Sequence, residues 1–135
     1  GSKQMAPERQ DVDIILKLWE LANRDEAHEA RMWMYASFTA QDYADFQHRY
    51  PIGSREWRYF SSTCGMMELF GVLVTRGLVD EDLFFDLFGG IEILWDRVQP
   101  VLKGMRQEVD ARLYENFELL VQRCRAWKAA NPPKG

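Results

Sequence analysis

Residues 54–76, SREWRYFSSTCGMMELFGVLVTR, decide the fold. Trp57, Phe60, Cys64, Met67, Gly71 and Val74 recur at alternating steps of three and four, the spacing of one helix face. Tyr59, Met66, Phe70 and Leu73 make the opposite side apolar as well. A helix that is apolar on two sides must be covered on both, so about 55–76 is expected to form the central hydrophobic helix of a bundle. Ser54 can accept a hydrogen bond from a first-turn amide and so cap it. Ser61, Ser62, Cys64, Gly65 and Gly71 are small enough to let neighbouring backbones come close, at a cost in helix propensity that packing has to offset.

Working upstream, Val12, Ile15, Leu16, Trp19 and Ala22 form one stripe of a helix from about Asp11 to Ala22. Ile14, Leu18 and Leu21 widen that stripe, so this helix calls for more than one neighbour. Asn23-Arg24-Asp25 breaks it, and a second helix is expected to reach Phe38 with Ala27, Ala30, Trp33, Met34 and Phe38 inside. A third, shorter helix is expected to begin near Thr39 as its cap and to stop before Tyr50-Pro51, because proline disfavours helix in the residue ahead of it.

Downstream, Arg76-Gly77-Leu78 reads as a C-terminal stop, and Asp80 as the cap of a short helix that buries Leu83, Phe84, Leu87 and Phe88 before Gly89-Gly90. The stripe Ile91, Leu94, Trp95, Val98, Val101 and Leu102 runs through Pro100, which is expected to kink the helix or break it near Gln99. A last helix is expected from Met105 to Ala130, with Val109, Leu113, Phe117, Leu120, Cys124 and Trp127 on its inner face. Asn131-Pro132-Pro133 stops it. No stretch alternates as a half-buried strand does, so the expectation is an all-α, single-domain bundle of about five to seven helices over 1–135, with 1–8 and 131–135 frayed.

A chain of 135 residues with 47% apolar and 28% charged residues can bury one core without disulfides or a structural metal. The net charge of -4 works against nucleic acid and anionic membrane surfaces as partners. Cys64 and Cys124 stand far apart with no CxxC or Cys/His spacing, which reads as two buried free thiols. The longest apolar runs, around Met66-Met67 and Leu69 to Val74, are broken by Glu68 and Gly71 and fall short of the ~18 residues that a membrane span needs. Gly1-Ser2 reads as the remnant of an expression tag, so a targeting or anchoring segment of the natural protein can be missing ahead of it.

The segment from Cys64 to Arg106 carries Leu69-Phe70-Gly71-Val72-Leu73-Val74-Thr75-Arg76-Gly77-Leu78-Val79-Asp80-Glu81-Asp82-Leu83, then Phe88-Gly89, Trp95, Pro100 and Arg106. In these residues the chain resembles a bacterial family of unknown function, the one numbered 4760. The resemblance implies an all-helical bacterial domain, often behind an N-terminal membrane anchor, with no established activity and no catalytic residue to carry over. It places the protein in the cytoplasm, or at the cytoplasmic face of a membrane where an anchor was removed.

Four groups of residues are candidate sites. His28 and His48 each follow a carboxylate by three positions, Asp25 and Asp45, and paired acid-x-x-His helices can hold two metal ions. The shorter Asp and the polar surroundings favour solvated helix faces there. Arg49, Arg55 and Arg58 interleave with Tyr50, Trp57 and Tyr59, the residue types of a phosphate or single-strand platform, though core aromatics with paired arginines explain the same pattern. Glu68 stands alone in an apolar stretch and needs a partner, for which Arg97 or Arg106 is the expectation. Ser61, Ser62, Thr63 and Cys64 lack any nucleophile signature and read as packing residues.

The aromatic and methionine side chains Met66, Phe70, Phe84, Phe85, Phe88 and Trp95 exceed what one short helix should bury, and adjacent Phe84 and Phe85 must point to different sides. The leading expectation is therefore a non-enzymatic helical protein-interaction module, without cofactor, that forms a homodimer through this aromatic surface. The alternative is a small-molecule-binding or enzymatic bundle with a pocket near Glu68 and Trp95.

Overall fold

A computed structural model describes residues 9–135. The expected fraying of 1–8 lies outside the described residues. Seven helices follow in chain order: α1 Arg9–Ala22, α2 Asp25–Ala36, α3 Tyr43–Arg49, α4 Arg55–Thr75, α5 Glu81–Leu87, α6 Ile91–Glu108 and α7 Glu115–Ala130. Among the described residues there is no strand, so the all-α expectation is met.

The centre is α4, which packs most extensively on α7 and then on α2; α3 lies on α6, and α6 on α7. Its two apolar sides are the reason. Phe60, Cys64, Met67, Phe70, Gly71 and Val74 are all buried, and they belong to one continuous core with Met34 of α2, Phe84 of α5, Leu94 and Val98 of α6, and Phe117 and Leu120 of α7. Ser54 caps α4 as its sequence position suggests, accepting a bond from the Trp57 amide at 3.2 Å. At the other end Gly77 takes the left-handed conformation, and the amides of Gly77 and Leu78 bond back to the carbonyls of Val74 and Leu73. This paired closure ends a helix without leaving those carbonyls unsatisfied.

Close approach of α4 and α7 depends on Gly71. A methyl group at that position would overlap the backbone carbonyl of Asn116. A second close approach sets α3 on α6 at Gly104, where a methyl group would come within 2.8 Å of the Tyr43 Cβ. Gly65, also counted among the small residues of α4, faces open space.

Several boundaries depart from the sequence reading. The second helix ends at Ala36, and Phe38 turns into an aromatic cluster with Trp33, Phe46, Tyr50 and Phe60. The cap of α3 is Asp42 in place of Thr39, its carboxylate accepting from the Asp45 amide at 2.8 Å. Pro100 does not break its helix, since α6 continues to Glu108. Asp96 and Pro100 are both exposed, so the carbonyl left without a donor is on the solvent side.

The true break falls at residues 109–114, inside the helix expected from Met105. Asp110 closes a turn there, its carboxylate accepting from the Arg112 amide and its carbonyl from the Leu113 amide. Such local bonds compete with helical ones. Tyr114 then adopts φ 57, a conformation rare outside glycine, and α7 starts anew. Val109, expected on the inner face, is exposed. The tail after Asn131 stays beside α5, where Lys134 reaches Asp86 at 2.8 Å.

These contacts set opposite expectations for two glycines of one helix. Gly71→Ala should cost about 1–3 kcal/mol through overlap with a backbone that cannot give way. Gly65→Ala should gain about 0.5–1 kcal/mol from helix propensity alone. Urea unfolding of the two variants checks both signs; equal effects would contradict the seam.

Candidate functional site

Helix α7 has no side-chain cap of its own, because Tyr114 occupies the capping position. The missing acceptor arrives from α4. Glu68 takes a bond from the Phe117 amide at 2.8 Å through one carboxylate oxygen and from the Asn116 side-chain amide at 2.9 Å through the other. A carboxylate at a helix N-terminus satisfies an orphan amide and meets the positive end of the helix dipole. Glu68 is therefore a structural cap between helices and pairs with neither expected arginine. Arg97 donates to the Phe38 carbonyl at 3.3 Å; Arg106 donates to the Leu113 carbonyl at 2.8 Å and pairs with Glu118. Arg106 and Glu68 thus hold the α6–α7 connection from its two ends.

The aromatic residues expected to form an exposed surface are largely interior. Phe70, Phe84, Phe85 and Trp95 are buried, and Met66 and Phe88 are half-buried. Phe84 and Phe85 do point apart, but each side is covered within the chain. Phe84 meets Phe70 at 5.4 Å and Phe88 at 4.6 Å, while Phe85 meets Trp127 of α7 at 6.0 Å. Intramolecular sandwiching of α5 between α4 and α7 absorbs the surface that a second protomer was expected to cover. Trp95 is likewise buried, its ring 5.2 Å from that of Phe117, the residue whose amide Glu68 accepts from.

His28 and His48 are exposed on separate helices, α2 and α3. Asp45 is engaged by Arg49 at 2.9 Å and by the Gln41 amide at 2.8 Å, the amide bond being the main reason its carboxyl lies below the usual range. Among the described residues no group of three or more metal-ligating side chains occurs. The arginines beside the α3–α4 turn also have protein partners. Arg49 pairs with Asp45; Arg55 pairs with Glu56 and lies over Tyr59 at 5.7 Å; Arg58 donates to the Gly53 carbonyl at 3.2 Å.

The feature that sequence reasoning missed is a half-open groove of about 570 Å³ between the α3–α4 turn and the α6–α7 connection. Its floor is Phe46, Phe60 and Met105, and its walls are Tyr43, Tyr50, Trp57 and Tyr114. Pro51 and Ile52 form one rim, Val109 and Leu113 the other. Gln47, Ser61 and the tyrosine hydroxyls are the polar groups present. Neither carboxylate, imidazole, amine, guanidinium nor thiol belongs to the lining. Two rim residues stand out from the surface: Ile52 is 84% exposed and Val109 62%. Ile52 sits at the tip of a turn closed by the Ser54 amide on the Pro51 carbonyl at 2.9 Å, with Gly53 at φ 87. The only signal in the sequence was an isoleucine where a polar turn residue is usual.

A second uncovered apolar row runs along α1, where Val12, Leu16 and Trp19 are exposed although they were expected inside. The buried face of α1 is instead Ile15, Leu18 and Ala22.

The two buried cysteines are poor nucleophiles. Burial pushes the Cys64 thiol far up; burial, then the bond that the Cys124 thiol donates to Glu92 at 3.0 Å, pushes Cys124 up to about 12. A thiol held in its protonated form neither attacks nor binds a metal readily.

The family model for the Domain of unknown function (DUF4760) matches residues 8–124. No curated protein and no solved structure matches the chain. Among the described residues no helix is long and apolar enough to cross a membrane.

Because the folded-state pKa of Cys124 lies above its unfolded value of roughly 8.5, its contribution to stability is complete below that value and is lost as pH rises through about 12. Urea unfolding should therefore show wild-type stability falling between roughly pH 8 and 10. The fall should be shallower in Cys124→Ala. Identical slopes in the two proteins would contradict the assignment.

Proposed function

The chain belongs to the family described as Domain of unknown function (DUF4760), and from that premise we propose that it is a non-enzymatic helical protein-interaction module whose contact surface is the groove beside the α3–α4 turn. One observation carries this: the hydroxyls of the groove, on Ser61, Tyr43, Tyr50 and Tyr114, have beside them in the lining no carboxylate, imidazole, amine, guanidinium or thiol to activate them or to hold a metal. General acid–base and nucleophilic chemistry need such groups within reach of the substrate. Apolar docking needs none of them.

The exposed rim favours a protein over a small molecule. A ligand confined to the groove would leave Ile52 and Val109 in water, whereas an apolar protein surface laid across it covers floor and rim together. Burial of two such side chains contributes about 1.5–3 kcal/mol each. The contact surface thus moves from the aromatic residues of α5, which are interior, to the other end of α4. We place this interaction in the bacterial cytoplasm, or at the cytoplasmic face of a membrane where an anchor precedes the domain.

Replacing Gln47, which lines the groove, with a benzophenone amino acid provides the test. Irradiation should yield cross-links to a protein segment that presents apolar side chains, and Ile52→Asp or Val109→Asp should suppress them without lowering the melting temperature. A cross-linking yield no higher than from an equivalent probe at exposed Gln99 would refute the docking role.

A further inference from the structure

Resting on that docking surface, we propose that its occupant is a second copy of this chain, paired about a two-fold axis so that Ile52 of each copy enters the groove of the other. Knob and hole lie on one face of the same molecule. Ile52 projects from one rim of the concavity, and an isologous pairing of a face that carries both a projection and a recess satisfies both at once. The projection is already rigid. Its turn is closed by the Ser54–Pro51 bond, Ser54 caps α4, and Arg58 holds the Gly53 carbonyl, so little conformational freedom remains to be lost on association.

Charge at the two rims supports the same pairing. The turn that carries Ile52 is flanked by Arg49, Arg55 and Arg58, of which Arg58 has no carboxylate partner among the described residues. The opposite rim at Val109 is flanked by Glu108 and Asp110. Glu108 has no partner among the described residues, and Asp110 accepts only from the backbone of its own turn. A two-fold axis that places one copy's Ile52 in the other's groove sets the basic rim of each against the acidic rim of its mate, twice per dimer. Arg58 and Glu108 are the two charges left available for that contact. The groove between the rims is uncharged, so the net charge of -4 on each chain is not concentrated where the copies meet.

Sedimentation equilibrium over a range of concentrations tests the pairing on the whole chain. The wild type should show twice the 15.9 kDa chain mass. Ile52→Asp, which changes an exposed side chain and should leave the circular dichroism unaltered, is expected to weaken the dimer on the order of a hundredfold. Arg58→Glu or Glu108→Arg alone should weaken it about tenfold, and the two together should restore it. Leu16→Asp, on the uncovered row of α1, should leave the dimer intact. A wild type that stays monomeric while the Gln47 probe cross-links a different protein overturns the self-pairing and leaves the docking surface standing. A dimer that survives Ile52→Asp, or that the combined charge exchange fails to restore, overturns the pairing as well. A monomer with no cross-link from position 47 removes both.

Discussion

A single carboxylate in the middle of α4 completes α7. The N-terminus of α7 follows a tyrosine in a left-handed conformation and has no side chain of its own to accept its first amides. Glu68 supplies both oxygens, one to the Phe117 amide and one to the Asn116 side chain. A carboxylate in a largely apolar stretch is costly unless such bonds are made, and a buried helix end is costly unless an acceptor is found. Each cost is offset by the other group, which fixes how far α7 can slide along α4. One turn further on, Gly71 fixes how closely the two can lie, since the Asn116 carbonyl occupies the space a side chain would need.

Much of the remaining architecture hangs from that seam. Once α7 is placed, Arg123 pairs with Glu81, the Trp127 indole donates to Asp82, and Lys128 pairs with Glu92, so α5 and α6 are tied to the same helix. Pairs of this kind at the surface contribute little individually and serve here to orient elements whose cohesion is apolar. Placement of α7 also defines the connection that precedes it. Val109, Leu113 and Tyr114 of that connection form one side of the groove, so the candidate contact surface depends on a capping interaction at its back.

Legibility in the sequence followed the strength of the local signal. Periodicity alone located α4, and single residues located its two ends and the start of α5, because Ser54, Gly77 and Asp80 act through bonds to chain neighbours. The break at 109–114 escaped because apolar residues continue at helical spacing across it; Asp110, a residue that closes turns, was the available sign. Pro100 gave the opposite error, since an exposed position lets solvent replace the lost bond. Glu68 was recognised as needing a partner, but one-dimensional reading offered only cations for it, while the partner is a helix end formed by an unforeseen break. The aromatic residues were counted correctly and assigned to the wrong covering, because sandwiching of α5 between α4 and α7 is a tertiary fact. The groove was not legible at all. Its residues come from four separate segments, and each reads singly as core or loop.

Hydrogen exchange at the Phe117 amide reaches the central claim directly. It is a first-turn amide, of the kind that has no acceptor within its own helix and exchanges readily. With Glu68 accepting from it at 2.8 Å, it should be protected to nearly the same degree as the core amides of α4, and Glu68→Ala should abolish that protection while amides in the middle of α7 remain slow. Rapid exchange at Phe117 in the unaltered protein would contradict the claim that α4 caps α7.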